Sequence, residues 1–251
     1  MGFGYGVTHT VRIVKWTAAI GIIAALSVSA CAAAHCGQDG AAIDRARVLF
    51  VVGGPAFHDP VELPKLLKDV VEKTGAFEVT ITEDREQFRP ENINRFDLVM
   101  IYTTGHQLTQ EQEEGLVKFV NDGGGLVGIH SATDSFKNSD AYWKLLGGRF
   151  TGHGSGKFRV NITGKRHVIV RDMEPFEIED ETYVHEFHPD SRLVVLMRRD
   201  EDGEPVSWVQ YYGEGRVFVT GLGHGAPAWS NPAFQQMIVN ALHWAKKTLN
   251  P

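Results

Sequence analysis

The sequence predicts an α/β domain whose mainly parallel sheet carries helices on both faces. Near-continuous apolar runs around Val48, Leu98 and Leu126 are typical of strands that are buried on both sides. Between them lie segments with apolar residues at three- and four-residue spacing, which indicates amphipathic helices. This alternation favours a parallel sheet covered by helices, with strands that end at a common edge.

In the first half of the domain, caps and glycines mark where the predicted helices begin and end. Thr109 and Gln112 form a capping box before a helix, and the glycines at 123–125 end that helix. Gly75 ends an earlier helix in the same way. The predicted elements are, in order, a strand over 47–52, a helix over 61–74, strands over 77–82 and 96–102, the capped helix, the strand that leads to His130 and a short helix over 139–146.

The second half of the domain changes to short strands. The segment 212–215 contains two glycines between apolar runs and indicates a hairpin. Asn231 followed by Pro232 predicts the start of a last helix, because asparagine caps helices and proline suits their first position. The candidate strands of this half are 158–162, 193–197, 206–211 and 216–220.

The N-terminal residues 1–30 are predicted to be an export signal. Arg12 and Lys15 precede an apolar stretch that is too short for a comfortable membrane span. Residues 28–31 resemble a bacterial lipobox, which places cleavage before Cys31 and a lipid on its sulfur. The alternative is an ordinary secretory peptide that is cut after one of the alanines. We therefore expect an exported, membrane-anchored lipoprotein, periplasmic or at the cell surface.

Length, charge and cysteine positions limit what the rest of the chain can be. A tether over 31–46 leads to a single predicted domain over 47–248, which is long enough for a substantial core. The formal net charge of −6 and the lack of a basic cluster argue against a nucleic-acid partner. Both cysteines, Cys31 and Cys36, precede the domain, so no thiol nucleophile is available within it. We expect a small-molecule partner and no nucleotide cofactor, and we predict no oligomeric state.

Four histidines follow predicted strands, namely His58, His106, His130 and His224. If those strands are parallel neighbours, their carboxyl ends converge and the four imidazoles share one crevice. A hydrogen-bonded structural role is the alternative for each ring. The spacing is not that of a compact metal motif, so this prediction depends on the fold.

A second candidate group lies in the middle third of the chain. Glu181 and Tyr183 are two residues apart and therefore share a face if the segment is extended, and His153 is nearby in sequence. A buried carboxylate beside imidazoles serves as a ligand, a general base or a histidine orienter. For Glu179 and Asp180 a solvated acidic loop is the preferred interpretation. Three further histidines are interpreted as structural: His167, His185 and His243.

Six motifs in sequence order resemble the ThuA-like trehalose-utilisation family. They are Phe57-His58, Gly105-His106, the segment 128–134 with His130 and Asp134, the segment 147–150 with His153, the segment 180–183, and the segment 221–224. The resemblance covers about residues 47–247. It implies a fold similar to that of class I glutamine amidotransferases, a flavodoxin-like three-layer α/β/α sandwich with a mostly parallel sheet. It also implies a role in sugar metabolism, particularly of disaccharides or glycosides oxidised at C3.

The implied amidotransferase-like fold suggests which residues occupy the positions of its nucleophile and its base. In that fold a cysteine nucleophile follows a strand and its histidine base follows a later strand; here His130 and His224 take those places, so thioester chemistry is excluded. Ser131 remains a weaker candidate nucleophile, because no glycine-flanked elbow surrounds it.

The leading hypothesis is therefore an enzyme that acts on a carbohydrate, such as a 3-keto-glycoside, by acid–base or metal-assisted chemistry, as a hydrolase, lyase or isomerase. His130, His224 and Glu181 are the predicted catalytic residues, and His130 and His224 are also candidate ligands of a zinc-like divalent metal. The predicted substrate-binding residues are His58, His106, Asp134, His153 and Tyr183.

Two alternatives remain open at this point. The first is a non-catalytic carbohydrate-binding lipoprotein that uses Trp143, Trp208 and Trp229 as stacking surfaces, unless those rings fill the core. The second is an interaction module on a degenerate amidotransferase-like scaffold, which would not call for clustered imidazoles.

Overall fold

The computed structural model describes residues 45–249, together with residues 1 and 2. The predicted signal peptide beyond residue 2 and the tether up to residue 44, with both cysteines, lie outside the described residues. Among the helices that are described, none is both long enough and apolar enough to cross a membrane. The strands are β1 (Ala46–Gly53), β2 (Phe77–Thr82), β3 (Leu98–Thr103), β4 (Gly125–Ile129), β5 (Gly148–Ile162), β6 (Phe176–Phe187), β7 (Val194–Arg199), β8 (Pro205–Tyr212) and β9 (Gly215–Thr220). The helices are α1 (Glu62–Glu72), α2 (Pro90–Ile93), α3 (Gln110–Asn121), α4 (Asp140–Leu146), α5 (Ala226–Trp229) and α6 (Pro232–Ala245).

All nine strands form one sheet in the order β2-β1-β3-β4-β9-β8-β7-β5-β6. The five strands from β2 to β9 in this order run parallel to one another. The pairings from β9 through β8, β7 and β5 to β6 are all antiparallel. The mixed α/β class is thus confirmed and the prediction of a mostly parallel sheet was wrong, while the flavodoxin-like three-layer sandwich stays a prediction. The physical reason is that short turns join β7 to β8 and β8 to β9, and such turns can connect only antiparallel neighbours, whereas a parallel pair needs a long crossover.

The parallel half of the sheet is covered by helices on both faces. Along β1, Val48 and Phe50 are buried in one apolar cluster that also contains residues of α1 and α6. Leu49 and Val51 are buried in a second cluster with residues of α3 and α4. Successive side chains of a strand point to opposite faces, so a continuous apolar run supplies both clusters.

Several local signals act as the sequence predicts. The capping box at α3 is present, with the Thr109 side chain accepting from the backbone N–H of Gln112, whose side chain accepts from the N–H of Thr109. The Asn231 side chain caps α6 by accepting from the N–H of Ala233. The predicted hairpin is the β8–β9 connection, in which Tyr212 pairs with Gly215.

The sequence does not predict the long antiparallel pairing of β5 with β6, although the predicted strand over 158–162 is the last part of β5. Residues 153–157 of β5 are all exposed, so the alternation that marks a half-buried strand is absent there. β6 contains Glu179 and Asp180, for which the sequence favours a solvated loop, and it forms one edge of the sheet. This pair matters for function because it brings Glu181 towards the ends of the parallel strands.

Candidate active site

Three of the four predicted histidines meet at the carboxyl edge of the parallel strands. His58 ends a short 3-10 helix after β1, His130 opens another after β4, and His224 lies in the loop after β9. The ring centroid of His58 lies 5.2 Å from that of His130 and 4.9 Å from that of His224. The centroids of His130 and His224 are 5.4 Å apart. Parallel strands end at one edge, which is why residues so distant in sequence meet here.

His130 is held in a single orientation. Its backbone has a φ of +47°, a left-handed conformation that is uncommon for residues other than glycine. The Thr133 hydroxyl donates to the His130 carbonyl at 2.9 Å and braces this turn. The ring Nδ1–H donates to the carbonyl oxygen of Gly221 at 2.7 Å, so the neutral ring carries its lone pair on Nε2. That nitrogen is fully buried and has no hydrogen-bond partner among the described residues.

His58 has a similar arrangement. Its Nδ1 lies 2.6 Å from the Thr104 hydroxyl, and its carbonyl accepts a hydrogen bond from the Tyr102 hydroxyl. Its Nε2 is buried without a hydrogen-bond partner within the described part of the chain. Burial, together with the nearby rings of His130 and His224, lowers the pKa of His58 to about 4. The ring is therefore neutral at physiological pH and can donate a lone pair.

Glu181 links the rings. Its Oε2 lies 3.3 Å from Nε2 of His130 and 3.2 Å from Nδ1 of His224, and its Oε1 lies 3.4 Å from Nδ1 of His153. Burial opposes ionisation of this carboxyl, but the adjacent His130, His224 and His153 outweigh burial and hold its pKa below the ordinary value. Glu181 is thus a carboxylate at neutral pH, in the state required of a base or a ligand.

Asp180, for which the sequence favoured a solvated loop, fixes the loop that carries His224. Its carboxylate accepts hydrogen bonds from the N–H groups of Gly223 at 2.6 Å and His224 at 2.9 Å. The side chain is buried, and this burial raises its pKa. The interpretation as a solvated acid was therefore wrong for Asp180, whereas Glu179 is exposed as expected. Ile178, two residues earlier on the buried face of β6, was the available signal.

Tyr183 and His185 support the His130 ring from behind. Tyr183 is buried and stacks on His130 with ring centroids 3.9 Å apart at 29°. His185 is buried, with Nε2 3.4 Å from the Thr133 hydroxyl and Nδ1 3.6 Å from a carboxylate oxygen of Glu204. These contacts agree with a structural place for His185.

His106 does not join the other three histidines, so the expectation that all four converge was wrong. Its side chain is exposed and is absent from the group of candidate ligands. Gly105 and His106 both have positive φ angles, of 73° and 59°, which turn the chain after β3. Partial burial and the charge of Arg85 lower the pKa of His106, while the charge of Glu83 raises it.

Two other predicted residues lie beside the cluster. Asp134, at the end of the 3-10 helix that His130 opens, forms an ion pair with Lys137 at 2.5 Å. His153 is half exposed on β5, and its Nδ1 lies 3.4 Å from Oε1 of Glu181.

The predicted tryptophan stacking surfaces do not fit the structure. Trp208 and Trp229 are fully buried and fill the core. Trp143 is partly exposed, but the guanidinium carbon of Arg149 lies 3.8 Å from its ring centroid. Two of the three rings are thus unavailable to a sugar and the third already has a stacking partner.

Four side chains could together hold a metal ion. One ligand atom from each of His58, His130, Glu181 and His224 lies within 4.8 Å of the others. Imidazole nitrogens and a carboxylate oxygen are ligands that zinc uses, and metal-binding histidines usually donate their second N–H to an oxygen, as His130 does. The buried, unpaired Nε2 atoms of His58 and His130 fit such a role. The structure therefore adds His58 as a candidate ligand and places Glu181 where it can serve as a ligand or as a base beside the ion.

The fold and this cluster define an α/β protein with a histidine–carboxylate site at the carboxyl edge of its parallel strands. Residues 47–245 match the ThuA family, described as trehalose utilisation, and the chain belongs to that family. The family points to carbohydrate utilisation. None of the curated proteins matches the sequence significantly.

Solved structures of two ThuA-like proteins have a fold similar to that of this chain. A ThuA-like protein from Parabacteroides merdae aligns with a TM-score of 0.73 at 20% identity, over 81% of this chain and 91% of that chain. One from Bacteroides uniformis aligns with a TM-score of 0.67 at 18% identity, over 80% and 90%. A β-galactosidase from Rahnella sp. R3 aligns with a TM-score of 0.58 at 14% identity, over 83% of this chain and 32% of that one. At these identities the likeness extends to the fold alone.

Proposed function

We propose that this protein is an exported enzyme that acts on a ketone-bearing glycoside or disaccharide, such as a 3-keto-disaccharide, by metal-assisted acid–base chemistry. The observation that carries the proposal is the meeting of three imidazoles and the Glu181 carboxylate within 4.8 Å at the strand ends. In a 3-keto-sugar the carbonyl acidifies the neighbouring C–H bond. A positioned base and an electrophile then suffice for isomerisation or for elimination of the glycosidic oxygen.

The four residues of the cluster differ in how exposed they are to solvent, and this difference suggests different roles. The His58 and His130 rings are buried, whereas His224 and Glu181 line an open cavity of about 370 Å³. Catalytic zinc sites commonly use three protein ligands and keep a fourth position open. In our proposal His58, His130 and His224 hold the divalent ion, and Glu181 is the base beside it.

The remaining chemistry follows from the chain itself. Glu181 is ionised, so it accepts the proton from the carbon next to the ketone. Asp180 keeps His224 in place through two backbone hydrogen bonds, and Gly221 fixes the His130 tautomer. When bound, a divalent ion supplies a Lewis acid that polarises the sugar carbonyl.

Localisation is part of the proposal. The predicted lipobox at Cys31 supports a lipid-anchored domain outside the cytoplasm, with a sugar as its partner. A binding function without catalysis is the competing outcome, although the burial of Trp208 and Trp229 removes two of its stacking surfaces.

The experiment combines metal analysis with a substrate screen. Purified protein is dialysed mildly, its metal content is measured, and turnover of 3-keto-trehalose is compared with that of trehalose. We expect near-stoichiometric divalent metal and turnover of the oxidised sugar. A wild-type protein that binds sugars but turns over none of them would replace the enzyme proposal with the binding function.

A further inference from the structure

The cavity beside the cluster has an unusual charge distribution. It is lined by the consecutive acidic residues Glu179, Asp180 and Glu181, together with Ser155 and His224. No lysine or arginine is found among the described residues that line it. Its volume of about 370 Å³ lies at the lower end of small-molecule sites, which span about 300–1,000 Å³.

The three carboxyl groups have different surroundings. Asp180 accepts backbone hydrogen bonds, and Glu181 lies between the imidazoles. Glu179 is exposed and forms no ion pair with any described residue. Its cross-strand neighbour is Lys157, but that ammonium group lies 3.6 Å from a carboxylate oxygen of Glu177 instead. Glu179 therefore adds to the cavity lining an acidic residue that has no ion-pair partner among the described residues.

The inner end of the cavity points to a ligand site rather than to a solvated acidic surface. His224 and Glu181 form this end, and Nε2 of His130 lies 3.3 Å from Glu181. That nitrogen belongs to a fully buried ring and has no hydrogen-bond partner within the described chain. His224, which lines the cavity, also has a buried Nδ1 without a hydrogen-bond partner among the described residues, so a ligand in the cavity can satisfy this atom.

We propose that this cavity is the sugar-binding subsite and that Glu179 determines its specificity, by admitting uncharged sugars and excluding phosphorylated or acidic ones. The inference rests on the proposed function, which makes a sugar the ligand of the cluster beside this cavity. Like charges at close range repel, and because Glu179 is exposed this repulsion is modest and is weakened by salt. The neutral hydroxyl groups of a sugar, by contrast, can donate hydrogen bonds to the carboxylate.

The test measures binding of trehalose and of trehalose 6-phosphate to the zinc-loaded protein by calorimetry. We expect the wild type to bind the neutral sugar about ten-fold more tightly, the size of effect expected from one partly solvated charge pair. Glu179→Gln should remove most of this preference, and higher salt should reduce it in the wild type. Zinc acts equally in both variants, so their difference isolates Glu179.

Glu201→Gln is the matched control, because it removes the same charge from the exposed turn between β7 and β8. It should keep the wild-type preference. Equal binding of the two sugars, a preference that survives in Glu179→Gln, or no binding of either sugar would overturn the inference.

Turnover of 3-keto-trehalose is measured in parallel, so that the two proposals fail separately. Turnover without discrimination at Glu179 would overturn the specificity role and leave the proposed function standing. Selective binding without turnover of any sugar would leave the subsite standing and remove the proposed chemistry.

Discussion

The Nδ1–H of His130 donates to the carbonyl oxygen of Gly221 across 2.7 Å, and this bond assigns the lone pair of the ring to Nε2. The backbone at the end of β9 thus sets the chemical state of a side chain at the end of β4. Gly221 can approach this closely because it has no side chain: a Cβ there would lie 2.7 Å from Cε1 of the buried His185.

Gly221→Ala should therefore destabilise the protein and weaken metal binding. Overpacking of a buried site typically costs about 1–3 kcal/mol, and a displaced carbonyl that orients a ligand costs about 10–100-fold in metal affinity. Urea unfolding and zinc titration measure the two effects. Gly152→Ala is the control, because a Cβ at Gly152 meets no atom within 4 Å and the variant should behave as the wild type. Unchanged zinc affinity in Gly221→Ala would contradict the orienting role.

Asp180→Asn should loosen the loop that carries His224. The amide replaces one acceptor oxygen with a donor group, which leaves a buried N–H of Gly223 or His224 without its partner. An unsatisfied buried group costs about 1–3 kcal/mol in the free energy of unfolding, and zinc affinity should fall as well. Glu179→Gln, on the exposed side of β6, should leave the stability within about 0.5 kcal/mol of the wild type. Wild-type stability and zinc affinity in Asp180→Asn would refute this positioning role.

Acid should destabilise the metal-free protein through His58. Burial lowers the pKa of this ring from 6.5 to about 4, so between these values the unfolded chain binds a proton that the folded chain does not. Stability is consequently full above about pH 6.5 and is lost as the pH falls towards 4, by up to about 1.4 kcal/mol per pH unit. Urea unfolding with a chelator at pH 7.5 and pH 5 measures this loss. His58→Gln should lose less stability than the wild type over that interval, and an equal loss would exclude His58 as the source.

Cys31→Ser should release the protein from the membrane fraction, because the predicted lipid is attached to the sulfur of Cys31. Cys36→Ser is the matched control and should remain membrane-associated, since Cys36 lies after the lipobox. Fractionation and mass spectrometry of the mature N-terminus provide the measurement. Membrane association of Cys31→Ser, or a mature N-terminus other than Cys31, would rule out the lipoprotein prediction.

The parallel half of the fold could be predicted because each strand is marked by its own residues. The apolar runs around Val48, Leu98 and Leu126 correspond to β1, β3 and β4, since a strand covered on both faces needs no polar alternation. The pairing of β5 with β6 could not be predicted in this way. Its glycine-rich, exposed stretch over 153–157 is stabilised by backbone pairing across the sheet edge, which leaves little pattern in the sequence.

The residues of the candidate site also differ in how far the sequence predicts them. Residues that directly follow strands, such as His130 and His224, could be proposed from the rule that ligands bind at carboxyl ends of parallel strands. His106 also follows a parallel strand, but it does not join the cluster, because the positive φ angles of Gly105 and His106 change the direction of the chain after β3. Asp180 was missed because its burial depends on N–H groups more than forty residues away in sequence, at Gly223 and His224.

The most direct test of the central claim is the comparison of Glu181→Gln with His224→Ala. If Glu181 is the base and the imidazoles hold the ion, Glu181→Gln keeps zinc and its melting temperature but loses about 10²–10⁴-fold in turnover of a 3-keto-disaccharide. His224→Ala loses zinc along with turnover. Near-wild-type turnover by a folded, zinc-loaded Glu181→Gln would contradict the account.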